Sequence, residues 1–282
     1  MSGLLLWAGC VRDYSFEDRV RAAHAGGFDQ TSLFPADVRR AERDGMTRGE
    51  LRELFRAAGV SVEVIDPYTK WLPTWNPGPD ITAEEISFAD FDERTIFDMA
   101  HFFGAGVISL NEFFGERVEI EAAAACFASL CDRAATEDLR VALEPMPFSD
   151  VCDLTTAWAI VEHADRDNGG LTLDAWHFYR RGAELDLLRT VPSELIFSIQ
   201  LNDAPLLPDG PVKEESMHRR LIPGAGELDL TSFIQATGFA DGPALIGPEI
   251  FSDVEWRRPA EELGRELGAA TREVLAAAAH ST

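Results

Sequence analysis

Short continuous apolar runs alternate with longer amphipathic stretches along the whole chain. Residues 4–8 are apolar throughout, as a strand buried on both faces requires. Ser15 is placed to cap a helix over 16–25, and Gly26-Gly27 to stop it. Residues 28–34 read as a second strand, and Thr47 with Glu50 forms a capping box for a helix ending at Gly59. The β-branched run 60–65 is a third strand, followed by a long Pro- and Trp-rich loop over 66–87. A helix over 90–104 leads into a fourth strand at 107–110.

The rhythm continues with a helix at 119–137, a strand at 141–144, a helix at 154–164 and a strand at 171–174. A short helix at 183–190 precedes a seventh strand at 195–201, and a second long loop covers 202–226. A helix at 230–237, a strand at 244–250 and a closing helix at 259–279 complete the chain. Eight strands alternating with eight helices predict an α/β fold, a single (β/α)8 TIM barrel domain spanning 1–282. A doubly wound sheet would need a Gly-rich turn after an early strand, and no G-x-G-x-x-G occurs there.

The ends of the last four strands carry oxygen donors: Glu144, Asp174, Gln200 and Glu249. In a barrel these ends gather around one mouth. Three carboxylates converging without a cation would repel one another. Together with the amide oxygen they predict one divalent metal ion, Mn²⁺ or Mg²⁺, since all four are hard donors. Such a site nets about −1, leaving a carboxylate able to act as a base. His177, three residues past Asp174, is placed to donate a proton, bind substrate or ligate metal. Asp203 is placed to orient a ligand. Trp71 in the first long loop, with Trp7 and Trp176 near strand ends, could line a sugar-binding pocket. In His218-Arg219-Arg220, Arg219 is taken as the residue that binds a substrate hydroxyl, carboxylate or phosphate.

The chain of 282 residues holds 49 acidic against 25 basic side chains, a formal charge of −24, with only isolated Arg pairs. That balance argues against nucleic-acid and anionic-membrane partners. No apolar run is long enough to span a membrane, and the N-terminus lacks a basic leader, so a cytoplasmic location is expected. The four cysteines form no C-x-x-C pair and read as free thiols.

The segments Ala-Ala-His-Ala-Gly-Gly-Phe-Asp, Ala-Leu-Glu-Pro, Leu-Asp-Ala-Trp-His, Gln-Leu-Asn-Asp-Ala-Pro, Ile-Pro-Gly-Ala-Gly-Glu-Leu-Asp and Pro-Glu-Ile-Phe, in this order, resemble the sugar phosphate isomerase/epimerase superfamily of xylose isomerase-like TIM barrels. The resemblance covers nearly the whole chain. It implies that Glu144, Asp174, Gln200 and Glu249 bind the metal, and that Glu144 and Glu249 form the acid/base pair facing the reacting carbon. It also implies a small carbohydrate-like substrate; dimers or tetramers are common in the family. Gln200 stands where many sugar epimerases have His, which is more like the dehydratase and lyase branches, such as 3-dehydroshikimate dehydratases and inosose dehydratase relatives. Gln30-Thr31-Ser32-Leu33 lacks the Glu often found near the end of strand two. Endonuclease IV shares the fold but needs a His-rich trinuclear zinc site.

The expected chemistry is proton abstraction beside a carbonyl by Glu144 or Glu249, with the enediolate stabilised by the cation. Returning the proton gives isomerisation or epimerisation of a keto-sugar or cyclitol-like polyol. Loss of a β-hydroxyl, aided by an acid such as His177, gives dehydration of a 3-dehydroshikimate, inosose or 3-keto-glycoside type of substrate. A non-catalytic barrel subunit or binding protein is the alternative of another class.

Overall fold

The computed structural model describes residues 3–79, 81–114 and 117–280. Eight parallel strands follow one another around a single sheet in chain order. They are β1 (Leu5–Leu6), β2 (Gln30–Leu33), β3 (Ser61–Tyr68), β4 (Val107–Leu110), β5 (Arg140–Leu143), β6 (Gly169–Asp174), β7 (Ile196–Leu201) and β8 (Leu245–Pro248). The Trp7 N–H donates to the Pro248 carbonyl at 3.3 Å, bringing the first strand against the last. Gly247 permits that approach, since a Cβ there would lie 1.6 Å from the Leu5 carbonyl oxygen. The predicted (β/α)8 barrel is therefore observed.

Inward-facing side chains fill the barrel: Leu5, Trp7, Val64, Val107, Ala142, Phe197 and Leu245 pack as one buried cluster. The larger apolar cluster lies between the strands' outer face and the helices. The helices are α1 (Phe16–Gly26), α2 (Pro35–Arg43), α3 (Arg48–Ala57), α4 (Ala83–Ala89), α5 (Glu93–Phe103), α6 (Ile120–Ala135), α7 (Leu154–Ala164), α8 (Ala175–Arg180), α9 (Leu185–Leu188), α10 (Val212–His218), α11 (Leu230–Ala236) and α12 (Ala260–His280). Gly264 and Gly268 of α12 sit against the backbone of Ala22 and Gly26, where a Cβ would come within 2.1 Å of a carbonyl oxygen. Small residues thus let the last helix close onto the first.

Capping explains most boundaries. Ser15 accepts from the Asp18 N–H, and Thr47 and Glu50 form the expected reciprocal box. The long loops hold more structure than the hydrophobic pattern shows. The stretch read as loop 66–87 begins inside β3 and ends in α4, whose Thr82–Glu85 capping box is a helix start the apolar pattern did not reveal. The loop read over 202–226 contains α10, and α2 starts with Pro35 at its first turn. Of these short helices, α4 and α10 lie over the mouth.

A buried ion pair fixes α1 to α2. Arg19 Nη1 lies 2.5 Å from Asp37 Oδ2, and both side chains are almost wholly enclosed. All four cysteines are free thiols. Among the described residues no helix is long and apolar enough to cross a membrane.

Candidate metal centre

The strands deliver their final residues to one point. Glu144 follows β5 and its N–H donates to the Leu110 carbonyl at 2.7 Å; Glu249 follows β8 and donates to Leu201 at 2.8 Å. Ladder bonds therefore aim both backbones before either side chain makes a contact. Asp174 ends β6 and caps α8, its Oδ1 accepting from the His177 N–H at 2.8 Å. That cap places His177 one helical turn on, with Nε2 3.4 Å from Glu144 Oε1. One ligand atom each from Glu144, Asp174 and His177 lies within 4.8 Å of the others, and all three residues are buried.

Gln200 is paired across the sheet with Asp174 and is fully buried. Neither its Oε1 nor its Nε2 has a hydrogen-bond partner. Buried amides are normally satisfied, so two bare atoms on one side chain mark a place where something else belongs. His177 Nδ1 is likewise without a partner.

The electrostatics point the same way. Burial, then repulsion by Asp174, pushes Glu144 up to about 8, against the pull of Arg220 and a hydrogen bond from Asn111. Glu249 is held well above the carboxylate range by burial and then by Asp66 and Glu144. Asp66 is raised by burial and then by Glu144. His177 is lowered to about 3, chiefly by burial, so its imidazole is neutral at neutral pH. A cluster of buried acids that cannot all ionise, a neutral imidazole and a bare amide is a donor set that a divalent cation satisfies. The residues present fit such an ion, with Glu144, Asp174 and His177 placed to hold it and Gln200 and Glu249 beside them.

One cation of the protein is already committed there. Arg220, almost fully buried, donates from Nη1 to Asp174 Oδ2 at 2.7 Å and from Nη2 to Ser216 Oγ at 2.8 Å, with Nη2 3.3 Å from His177 Nε2. Asn202 Nδ2 also donates to Asp174 Oδ2 at 2.7 Å and to the Glu249 carbonyl at 3.1 Å. Asp174 is thereby fixed in place.

A cavity of about 590 Å³ opens above these groups. Asp66, Asn111, Glu144, His177, Arg220 and Glu249 form its polar floor, Phe34, Phe88, Phe113, Phe148, Phe251, Met146 and Met217 its apolar part, and Arg12, Glu85, Lys213, Glu214, Ser216 and His218 also line it. The tryptophans expected in this lining are packed elsewhere. Trp7 belongs to the barrel interior, and the Trp71 indole donates to the Asn111 carbonyl at 3.1 Å beneath the loop. Trp176 lies fully buried under the guanidiniums of Arg180 and Arg220. The Trp71 and Trp176 N–H groups find partners in the Asn111 carbonyl and Glu215 Oε1, while Trp7 Nε1 has none, and phenylalanines take the wall. Asp203 is also not in the lining; its carboxylate accepts from the Ala204, Gly224 and Leu228 N–H groups and holds the loop that carries Arg220.

Arg219, expected to meet substrate, points outward to Asp209, and Arg220 takes the inner place. Arg219 is the C-cap residue that ends α10, and the chain is held there by isolated bridges from Arg219 to Ser252 and from Leu221 to Asp203, which place the two arginines on opposite sides. Asp66, Asn111 and Asn202 were not singled out from sequence. Asp66 follows the β-branched run 60–65, so the strand-end rule that found Glu144 also points to it.

Comparison with known proteins agrees with this architecture. The family described as xylose isomerase-like TIM barrel matches residues 20–273. A 3-dehydroshikimate dehydratase from Pseudomonas aeruginosa is 29% identical over 242 residues, covering 84% of this chain and 36% of that protein. An inosose isomerase from Bacillus subtilis is 31% identical over 138 residues, covering 47% of this chain and 48% of the other. The matches thus span about a third and about half of these relatives' lengths. Among solved structures, the IOLI protein with a binding zinc atom superposes with a TM-score of 0.80 at 18% identity, over 97% of this chain and 98% of that one.

Proposed function

The chain belongs to the xylose isomerase-like TIM barrel family, and from that premise we propose that it is a divalent-metal-dependent isomerase or epimerase of a keto-sugar or cyclitol-like polyol. The observation that carries this reading is the buried group of Glu144, Asp174 and His177 within 4.8 Å, beside a Gln200 amide with no partner. Its relatives are enzymes that act on ring ketones and polyols, as the names inosose isomerase and 3-dehydroshikimate dehydratase imply. When bound, the cation supplies polarisation of a substrate carbonyl and offsets the charge that develops beside it.

The side chains do the rest. Glu249, buried in the cavity outside the tight triad, takes the proton from the carbon next to the carbonyl. For epimerisation Glu144, across the same mouth, gives its own proton to the other face, leaving Glu249 protonated; for isomerisation Glu249 returns the proton it took to the neighbouring carbon. Asp174 is oriented for its role by Arg220 and Asn202. His177, neutral through burial, serves as a nitrogen ligand or a hydrogen-bonding group rather than a strong acid. A nitrogen donor favours manganese or zinc over magnesium.

Dehydration is the second reading, favoured by the dehydratase that aligns with 84% of the chain. It begins with the same proton abstraction and ends with loss of a β-hydroxyl as water, a step that needs a proton donor. Asp66, lining the same cavity and raised by burial, is the better acid there than His177.

Metal analysis of the purified protein and solvent deuterium exchange against keto-sugars, inososes and dehydroshikimate test the proposal. Stoichiometric metal and exchange that falls about 10²–10⁴-fold in Glu249→Gln support it. Product mass separates the two outcomes, since dehydration loses water. Absence of both metal and exchange in the wild type would leave only a non-catalytic barrel.

A further inference from the structure

One wall of the cavity is a row of aromatic rings. Phe251 stacks on Phe34 with centroids 6.4 Å apart, Phe34 meets Phe88 edge-on at 5.3 Å, and Phe88 lies 6.1 Å from Phe113. The row continues into an adjoining cavity of about 370 Å³ between α2 and α4, which shares Phe34, Phe88, Phe113, Met217, Arg12 and Glu85 with the first. Three successive ring-to-ring steps cover more length than one six-membered polyol ring. The buried carboxylates and amide, Asp66, Asn111, Glu144 and Glu249, lie at the strand ends, whereas the polar residues beside the row, Thr82, Glu84, Glu85 and Ser87, belong to the partly exposed segment that carries α4. A hydroxyl set against the ring faces themselves finds no partner there.

The cations near the row do not make it a phosphate site. Among the described residues that line the two cavities, Arg220 is held by Asp174 and Ser216, Lys213 by Glu85 and Arg40 by Asp37. Arg43 is exposed at the outer end. Arg12 lies over the rings of Phe251 and Trp256 at 5.9 and 5.5 Å, which suits it to cover a further flat ring.

We propose that the substrate carries an apolar, planar substituent on its polyol ring, an aryl group in the simplest case, and that the Phe34–Phe88–Phe113 row is the subsite that receives it. This rests on the carbohydrate reading above and names its substrate class: an unphosphorylated ring whose oxygens face the carboxylates while its substituent lies on the row.

The test is binding, independent of turnover. Calorimetry on the metal-loaded full chain compares methyl β-glucoside, phenyl β-glucoside and methyl β-glucoside 6-phosphate. The phenyl glycoside binds at least about tenfold tighter than the methyl one, the gain expected from burying one aromatic ring. Phe88→Ala removes that advantage and leaves the methyl glycoside's affinity unchanged. Phe88 is only partly buried, and Phe113→Leu provides a second, milder variant. Equal affinities, no detectable binding of either glycoside, an advantage that survives both variants, or a larger gain from the phosphate would each overturn the proposal. Aryl preference without deuterium exchange would sink the enzyme reading and keep the subsite. Exchange without aryl preference would do the reverse.

Discussion

Replacing Glu144 by Gln probes the strain that the acids impose on one another. A carboxyl moved from 4.5 to about 8 weighs against the folded state by about 4 kcal/mol at pH 8, where it is half titrated, taking 1.36 kcal/mol per pKa unit. Because Asp66, Glu144 and Glu249 repel one another, removing one relieves only part of this, on the order of 3 kcal/mol. At about 2 °C per kcal/mol for a chain of this length, the chelated variant melts about 6 °C above the chelated wild type at pH 8. The sign follows from proton binding. The folded state keeps the Glu144 proton between its ordinary value and about 8 while the unfolded chain loses it. Wild-type stability in chelator therefore falls as pH rises through that window, and the variant's advantage is nearly gone at about pH 5. Mn²⁺ at about 1,000 times its Kd reverses the order at pH 8, since it adds about 4.1 kcal/mol to the protein that binds it, more than the variant's advantage. Thermal melts of both proteins, with chelator and with Mn²⁺, at about pH 5 and about pH 8 measure all of this. A chelated variant no more stable than wild type at pH 8, or a difference independent of pH, would refute the reasoning.

Three further outcomes are expected. Arg220→Ala leaves Asp174 buried without its cation and costs about 3–5 kcal/mol in denaturant titrations run in chelator, whereas Arg219→Ala, on the surface, costs under about 0.5 kcal/mol. Gln200→Leu removes two unsatisfied amide atoms, so the chelated protein is at least as stable as wild type by thermal melting, while calorimetry shows metal affinity weakened about tenfold. Arg19→Met removes the buried partner of Asp37 Oδ2 and leaves only the more exposed Arg40 on Oδ1, which lowers unfolding free energy by about 2–3 kcal/mol with metal binding unchanged by calorimetry.

The chain's own pattern determined the barrel and most of its mouth. Apolar runs without alternation can only be strands covered on both faces, and eight of them separated by helical stretches leave one economical arrangement. Acids and an amide at the ends of β5 to β8 then have to face the same opening, which is why Glu144, Asp174, Gln200 and Glu249 were legible before any coordinates. Asp66 was legible by the same rule. What tertiary structure decided is everything set by loops and by side-chain competition. Arg219 and Arg220 are equivalent as letters; the bridge of Leu221 to Asp203 turns one outward and the other onto Asp174. Trp7, Trp71 and Trp176 lie near strand ends in sequence, but packing hides them and gives the wall to phenylalanines drawn from separate loops. His177 enters the tight group with Glu144 and Asp174 because the Asp174 side chain caps a helix that begins where β6 ends. Backbone ladders repeat and can be read from a period, while the contacts that choose among neighbouring side chains arise only when distant loops meet.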